Sequence, residues 1–173
     1  MQSRLNPEEL GRDLRQGYGP FLKRRRSIIG LSFFSCAVLG TVALYQIGIL
    51  KKLPEPRSKF FDTAKVNGSG QAYSILATPD AFLGLASYGV TAGLAAMGAE
   101  NRSQTHPWVA LAMGVKLIGD AAMAGKLTLD ESRKFKAFSL WSVLTALASW
   151  TALPLAFPET KAAIQQLRGH DHA

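Results

Sequence analysis

A single cysteine in 173 residues removes a whole class of chemistry at the outset. With Cys36 alone, no intramolecular disulfide can close and no cysteine-based metal site can be assembled. Its position in the middle of an apolar run makes it a small hydrophobe. Phe33-Phe34-Ser35 is a poor approach to a lipidated cysteine, and no small-x-small cleavage site follows the run, so the segment is expected to stay as an anchor. Acids are also few: 12 Asp and Glu stand against 20 Lys and Arg, a formal charge of +8. That excess could suggest a nucleic-acid partner. The cations, however, sit at the ends of apolar segments, form no stripe on a soluble face and accompany no nucleic-acid motif. They read as membrane-flanking cations that meet anionic headgroups. The sequence shows no phosphate loop, nucleophile elbow, zinc-ligand spacing or internal repeat. His170-Asp171-His172 offers two imidazoles on an exposed polar tail, too weak a set for a metal, so none is expected.

Long stretches also lack charge altogether. Only 18% of the residues are charged and they lie in blocks, which the near-zero mean hydropathy of +0.07 conceals. The uncharged runs between the blocks are long enough to cross a bilayer. The expected fold is all-α: an integral membrane four-helix bundle with a polar outer loop between its first and second helices. Spans are expected at about 28–50, 79–99, 108–125 and 137–157, within a domain of residues 27–157.

Residues 1–26 form the N-terminal segment, where Asn6 can cap, Pro7 suits the first helical position, and Glu8-Glu9 favour the positive helix end. An interfacial amphipathic helix and a frayed tail both fit it. Thr78-Pro79-Asp80 opens the second span as cap, first-turn proline and first-turn acid. Gly89 and Gly93, one turn apart, predict close helix approach and an enclosed second helix. Thr128-Leu129-Asp130-Glu131 has the capping-box pattern and predicts a helix start outside the bilayer, before entry at about Ala137. Pro158 is expected to stop the fourth span and leave residues 158–173 as a polar tail. Lys and Arg divide almost evenly between the two sides. The compact Lys23-Arg24-Arg25-Arg26 block beside the first helix favours cytoplasmic N- and C-termini, and a bacterial inner membrane is the expected location.

Three patches fall in a familiar order: Phe61-Asp62 ahead of Asn67-Gly68-Ser69, Pro79-Asp80-Ala81-Phe82-Leu83-Gly84-Leu85 at the second helix, and Phe138-Ser139-Leu140-Trp141-Ser142 at the fourth. The chain resembles the vitamin K epoxide reductase family over about Lys23 to Phe157, most of all in the Pro-x4-Gly-Leu element from Pro79 to Leu85. The family's members are four-helix membrane proteins that couple quinone reduction to thiol oxidation. The resemblance also sets out what is missing. The family's Cys-x-x-Cys at the outer end of the fourth helix corresponds to Ser139-x-x-Ser142, and its loop cysteines correspond to Phe61 and Ser69. A serine hydroxyl is not ionised near neutral pH and cannot run a two-electron S–S cycle. The resemblance therefore implies a fold whose usual catalysis is gone. The chain is then a non-catalytic quinone- or lipid-binding protein, or a subunit of a membrane complex. Its quinone site would be bounded by Ser69, Pro79, Phe82, Ser139 and Ser142, with Lys116 and Asp120 on the neighbouring helix. A quinone oxidoreductase served by an external electron donor and a small carrier built on Lys116 and Asp120 are the alternatives.

Lys116 and Asp120 are four apart on one helical face, and each is costly against lipid, so both should point into the bundle. A structural ion pair and a contact to a ligand headgroup or proton path both satisfy that requirement. Ser139, Ser142, Thr145 and Ser149 stripe the fourth helix, where hydroxyls usually bond to the preceding turn or to a neighbouring helix. Trp108, Trp141 and Trp150 read as packing or interface anchors, Trp108 most clearly.

Overall fold

The computed structural model describes residues 6–54, 66–73, 77–136 and 139–170. Phe61-Asp62, Phe138 and Asp171-His172 lie outside the described residues. The elements are α1 (Pro7–Gln16), α2 (Pro20–Gln46), a short 3-10 turn (Gly70–Tyr73), α3 (Asp80–Ala96), α4 (Arg102–Thr105), α5 (Pro107–Phe135) and α6 (Leu140–His170). The four long helices close a ring in the order α2, α3, α5, α6, with α5 and α6 packed most extensively and α3 against α5 least. One end of the ring holds α1, α4 and the last turns of α6. The other, the loop end, holds residues 66–73 and the α5–α6 junction.

Among the described residues, three helices are long and apolar enough to cross a membrane: α2, α5 to Lys134, and α6 to Gly169. The fourth, α3, has 17 residues, about 25 Å at 1.5 Å per residue, short of a hydrocarbon core about 30 Å thick. It stops at Ala96 because Gly98 takes a left-handed φ of 77°, a conformation open to glycine at little cost.

Several expected boundaries move for identifiable reasons. The first helix begins at Pro20, so the basic block lies inside it. It ends at Gln46, before the Lys-Pro segment, where Gly48 turns left-handed. The capping-box pattern at Thr128 starts nothing. Helix α5 runs through it, and Thr128 Oγ1 donates back to Ala124 O at 2.8 Å. The break comes at Lys136, φ 51°, so the helix of the fourth span does not begin at Thr128. Pro158 does not stop α6, which holds both Pro154 and Pro158 and continues to His170, so the polar tail is largely helical. Pro154 is exposed on the outer face of the helix. Gly89 and Gly93 face outward with nothing within 4 Å of an added Cβ. The close approaches are elsewhere: a Cβ on Gly84 would stand 2.6 Å from Leu39 Cδ1, and one on Gly114 2.6 Å from Thr160 Oγ1.

The interior is made largely of small side chains. Ile28, Ala95, Met113, Leu117, Ala152 and Ala156 form one buried cluster toward the terminal end. Val42, Ala43 and Ala81, with Leu39, Leu85 and Trp141 against them, form a second toward the loop end. Small residues let helices approach closely where lipid gives no hydrophobic drive to pack.

The basic block divides its labour. Lys23 and Arg24 are exposed, whereas Arg25 is only 1% exposed. The guanidinium of Arg25 donates to the carbonyls of Ala95 (2.8 Å), Ala99 (2.9 Å), Met97 and Gly98 (both 2.8 Å), with Ala96 at 3.3 Å. These are the orphan acceptors of the end of α3 and the turn after it. Arg26 does the same for α1, donating to Leu14 O at 2.7 Å and Gly17 O at 2.9 Å. Arg102, also fully buried, grips Glu159 bidentately at 2.7 and 2.9 Å and donates to Met97 O at 2.8 Å. The two buried guanidinium groups face one carboxylate, and the negative end of the α3 dipole offsets the remainder. Arg25→Met should therefore lower stability by at least about 3 kcal/mol, since several buried carbonyls lose their donors together. Arg24→Ala should change it by less than about 0.5 kcal/mol. Thermal unfolding in detergent checks both, and equal effects would refute the division.

Candidate functional site

At the loop end, the chain after α2 folds back over the helix ends through polar side chains. Gln46, in the last turn of α2, donates from Nε2 to Asp80 Oδ1 at 2.7 Å, and its Oε1 accepts from Ala81 N at 3.4 Å. Its carbonyl accepts from the Tyr73 hydroxyl at 2.9 Å. Asn67 donates from Nδ2 to Ser139 Oγ at 2.9 Å, and the Ser139 backbone N–H donates to Glu131 Oε2 at 3.2 Å. Ser142 stands beside the same carboxylate. Gln46, Asn67, Glu131 and Ser139 are all buried, and buried polar groups without partners are costly, which ties the loop, α5 and the start of α6 into one unit. Among the described residues two buried side-chain groups have no hydrogen-bond partner, the Ser35 hydroxyl on α2 and an indole N–H at this end. The indole is that of Trp141, in the first turn of α6 and packed on the loop-end apolar cluster.

The seven residues expected to bound a site divide into separate groups. Ser139 and Ser142 meet at Glu131, as described. Ser69 turns away to donate to Val66 O at 2.8 Å. Pro79 caps the start of α3 beside this group. Phe82 is 40% exposed on the outer face of α3 and does not line the interior, because the α3 face that packs inward carries Ala81 and Leu85.

Lys116 and Asp120 do pair, but deeper in the bundle. Their partners on α3 are Ser87 and Thr91, seven and eleven residues beyond Asp80, about 10 and 16 Å along the helix. The Lys116 ammonium donates to Ser87 Oγ at 2.8 Å, to Thr91 Oγ1 at 3.2 Å and to Asp120. Asp120 accepts from Ser87 at 2.9 Å and from Thr91 at 2.7 Å. All three ammonium hydrogens have acceptors and both carboxylate oxygens have donors. The geometry is that of a clip between α3 and α5, the ring neighbours that otherwise touch least. A further link crosses the ring, from the Tyr88 hydroxyl to Ser149 Oγ at 2.6 Å.

Sequence reasoning missed Gln46 and the role of Glu131 at the loop end, named Asn67 only within a family patch, and read Arg25 and Arg26 only as flanking cations. Glu131 was visible only as part of a capping box. Gln46 closes an apolar run in which one amide draws no notice. Among the described residues no group of three or more His, Cys, Asp or Glu is placed to hold a metal.

A model of the vitamin K epoxide reductase family matches residues 26–157 of the 173. The chain belongs to the vitamin K epoxide reductase family. The match runs from Arg26 through the loop-end cluster and the clip to Phe157. Helix α1, Arg25 and the last turns of α6 lie outside it. No curated protein and no solved structure matches the chain. This member of the family has one cysteine, Cys36, on α2 with its sulfur 3.9 Å from Leu85 O.

The clip makes a quantitative expectation. Asp120→Asn or Lys116→Met alone should each cost about 3 kcal/mol, by leaving one charge without its partner inside the bundle. The double variant should cost clearly less than the sum of the two. A double-mutant cycle on thermal unfolding in detergent measures this, and strict additivity would show that the clip carries no coupling.

Proposed function

We propose that the protein is a redox-silent member of its family, which holds a quinone or similar lipid at the loop end without thiol chemistry. Membership of a family of membrane proteins and the three helices long enough to span support an integral membrane location. With one cysteine in the chain, no intramolecular thiol pair exists to reduce a quinone and be re-formed. The position that corresponds to the family's cysteine pair is held by Ser139 and Ser142, bonded into the Asn67–Glu131 cluster.

The observation that carries the binding half of the reading is the unpartnered indole N–H of Trp141. A buried donor with no acceptor is unfavourable, and it sits within an apolar cluster one residue from Ser142. An apolar ligand with a carbonyl oxygen satisfies both features, and a quinone is such a ligand. Helix order and the basic block at residues 23–26 support cytoplasmic N- and C-termini, with the loop end on the opposite face.

Protein solubilised gently from its native membrane should yield a quinone-class lipid on extraction and mass spectrometry, at up to one per chain. Trp141→Phe keeps the ring and removes the donor, and should lower retention roughly five- to tenfold. Ser139→Leu with Ser142→Leu should abolish it. Wild-type protein that retains no quinone, or a Trp141→Phe variant that retains it fully, would make this a purely structural membrane subunit. Quinone-dependent oxidation of a dithiol should stay at the no-protein level, with Cys36→Ser identical to wild type. A reporter fused at Gly68 should lie on the side opposite to reporters after Arg102 and Phe157. A cytoplasmic Gly68 would reverse the orientation.

A further inference from the structure

The end opposite the family's site has a feature that the bundle itself does not need. Helix α1 is polar along one face and buries no residue of its own. It is fastened through its C-terminal turn, where Arg26 holds Leu14 O and Gly17 O. The Glu100 carboxylate lies against the glycines at 17 and 19, where any side chain would collide with it. Beneath this fastening, between α1, α2 and α3, is an open cavity of about 130 Å³. Leu14, Leu22, Ile29 and Ala95 form apolar walls, and Arg25 and Arg26 bring guanidinium groups to it.

The two guanidinium groups differ in what they have left to give. Arg25 directs each of its nitrogens at a carbonyl of the end of α3. Arg26 uses one hydrogen on each terminal nitrogen, so its Nε–H and a second hydrogen on each terminal nitrogen have no protein acceptor among the described residues. Arg26 is also partly exposed, and Lys23, one turn earlier on α2, is exposed. An apolar hollow with spare arginine donors at its edge, below an amphipathic helix at the head of a membrane span, matches the two halves of one kind of molecule. The cavity is close in size to one of about 150 Å³ that stays dry and takes up benzene, so it has room for roughly six carbons. Guanidinium donors fit phosphate oxygens with directional pairs of hydrogen bonds.

We propose that this cavity binds an anionic phospholipid, with the phosphate on Arg26 and Lys23 and the upper part of one acyl chain between Leu14, Leu22 and Ile29. The lipid would lock α1 against the bundle at the membrane surface. The site lies at the opposite end from the quinone reading and stands or falls without it. Leu14, Leu22 and Arg25 precede the family match, so the site is partly a feature of this chain beyond the matched region.

The test uses full-length protein in a neutral detergent, titrated with phosphatidylglycerol and, separately, with phosphatidylcholine of the same chain length. Native mass spectrometry reads the lipids retained. One phosphatidylglycerol per chain should be held about tenfold more tightly than phosphatidylcholine, and millimolar inorganic phosphate should not displace it. Arg26→Gln should remove the preference for the anionic lipid. Ile29→Trp fills the cavity and leaves Arg26 in place, and should lower retention of phosphatidylglycerol about tenfold. Ala96→Leu fills it from α3 and serves if the tryptophan variant unfolds. Equal retention of the two lipids, or retention unchanged by both cavity-filling variants, would overturn the proposal. Displacement by phosphate alone would show an anion site with no lipid in it.

Discussion

The guanidinium of Arg25 lies inside a membrane bundle with its donors turned on the last carbonyls of α3, and much of the architecture follows from that contact. A helix that ends within or near the bilayer exposes carbonyls that no water can satisfy. At 17 residues, α3 ends early, at the left-handed Gly98, and the next residues must be supplied with donors by the protein. Arg25 supplies them from α2 and Arg102 from α4, while Glu159 on α6 balances part of the charge. Three helices are thus tied to the end of the fourth. The short helix and the buried arginines form one device, in which the arginine donors meet the carbonyls that the helix end leaves open.

Polar contacts recur at three depths. The arginine cluster holds the terminal end, the Lys116–Asp120 clip joins α3 and α5 partway along, and the Gln46–Asp80 and Asn67–Ser139–Glu131 bonds close the loop end. Between them the interior is mostly alanine, with Met113 and Leu117 among the few large side chains. Apolar packing of alanines alone distinguishes poorly between one register of two helices and the next. A polar group with one available set of partners distinguishes strongly, because each misplaced register leaves it unsatisfied.

The all-helical membrane fold and the family were legible in the sequence because they rest on composition and local order. Uncharged runs mark helices whatever their neighbours, and Pro79 to Leu85 keeps its spacing within one helix. The i,i+4 spacing of Lys116 and Asp120 was equally local, and the pair forms. The long-range partners were not legible. Nothing near Arg25 in the chain indicates an acceptor seventy residues away at Ala95, and Arg102 meets Glu159 only because α4 tucks beneath α6. Helix ends were misplaced for a related reason. Thr128 and Pro158 carry strong local signals for a start and a stop, yet packing of α5 against α6, the most extensive in the ring, carries both helices through. The inward face of α3 was misread because small residues line it on both sides. Only the contacts show that Gly84, and not Gly89 or Gly93, lies against a neighbour.

The proposed function sets a quinone site at the start of α6, beside serines where the family resemblance implies cysteines. The most direct measurement supplies the sulfur. Ser139→Cys and Ser142→Cys are introduced together in a Cys36→Ser background, and the purified protein is supplied with a dithiol and a quinone. The account predicts quinone-dependent oxidation of the dithiol above the wild-type level, with the restored pair cycling between thiols and disulfide as electrons pass to the quinone. A folded variant whose pair forms its disulfide under mild oxidant, yet never passes electrons to quinone, would contradict it.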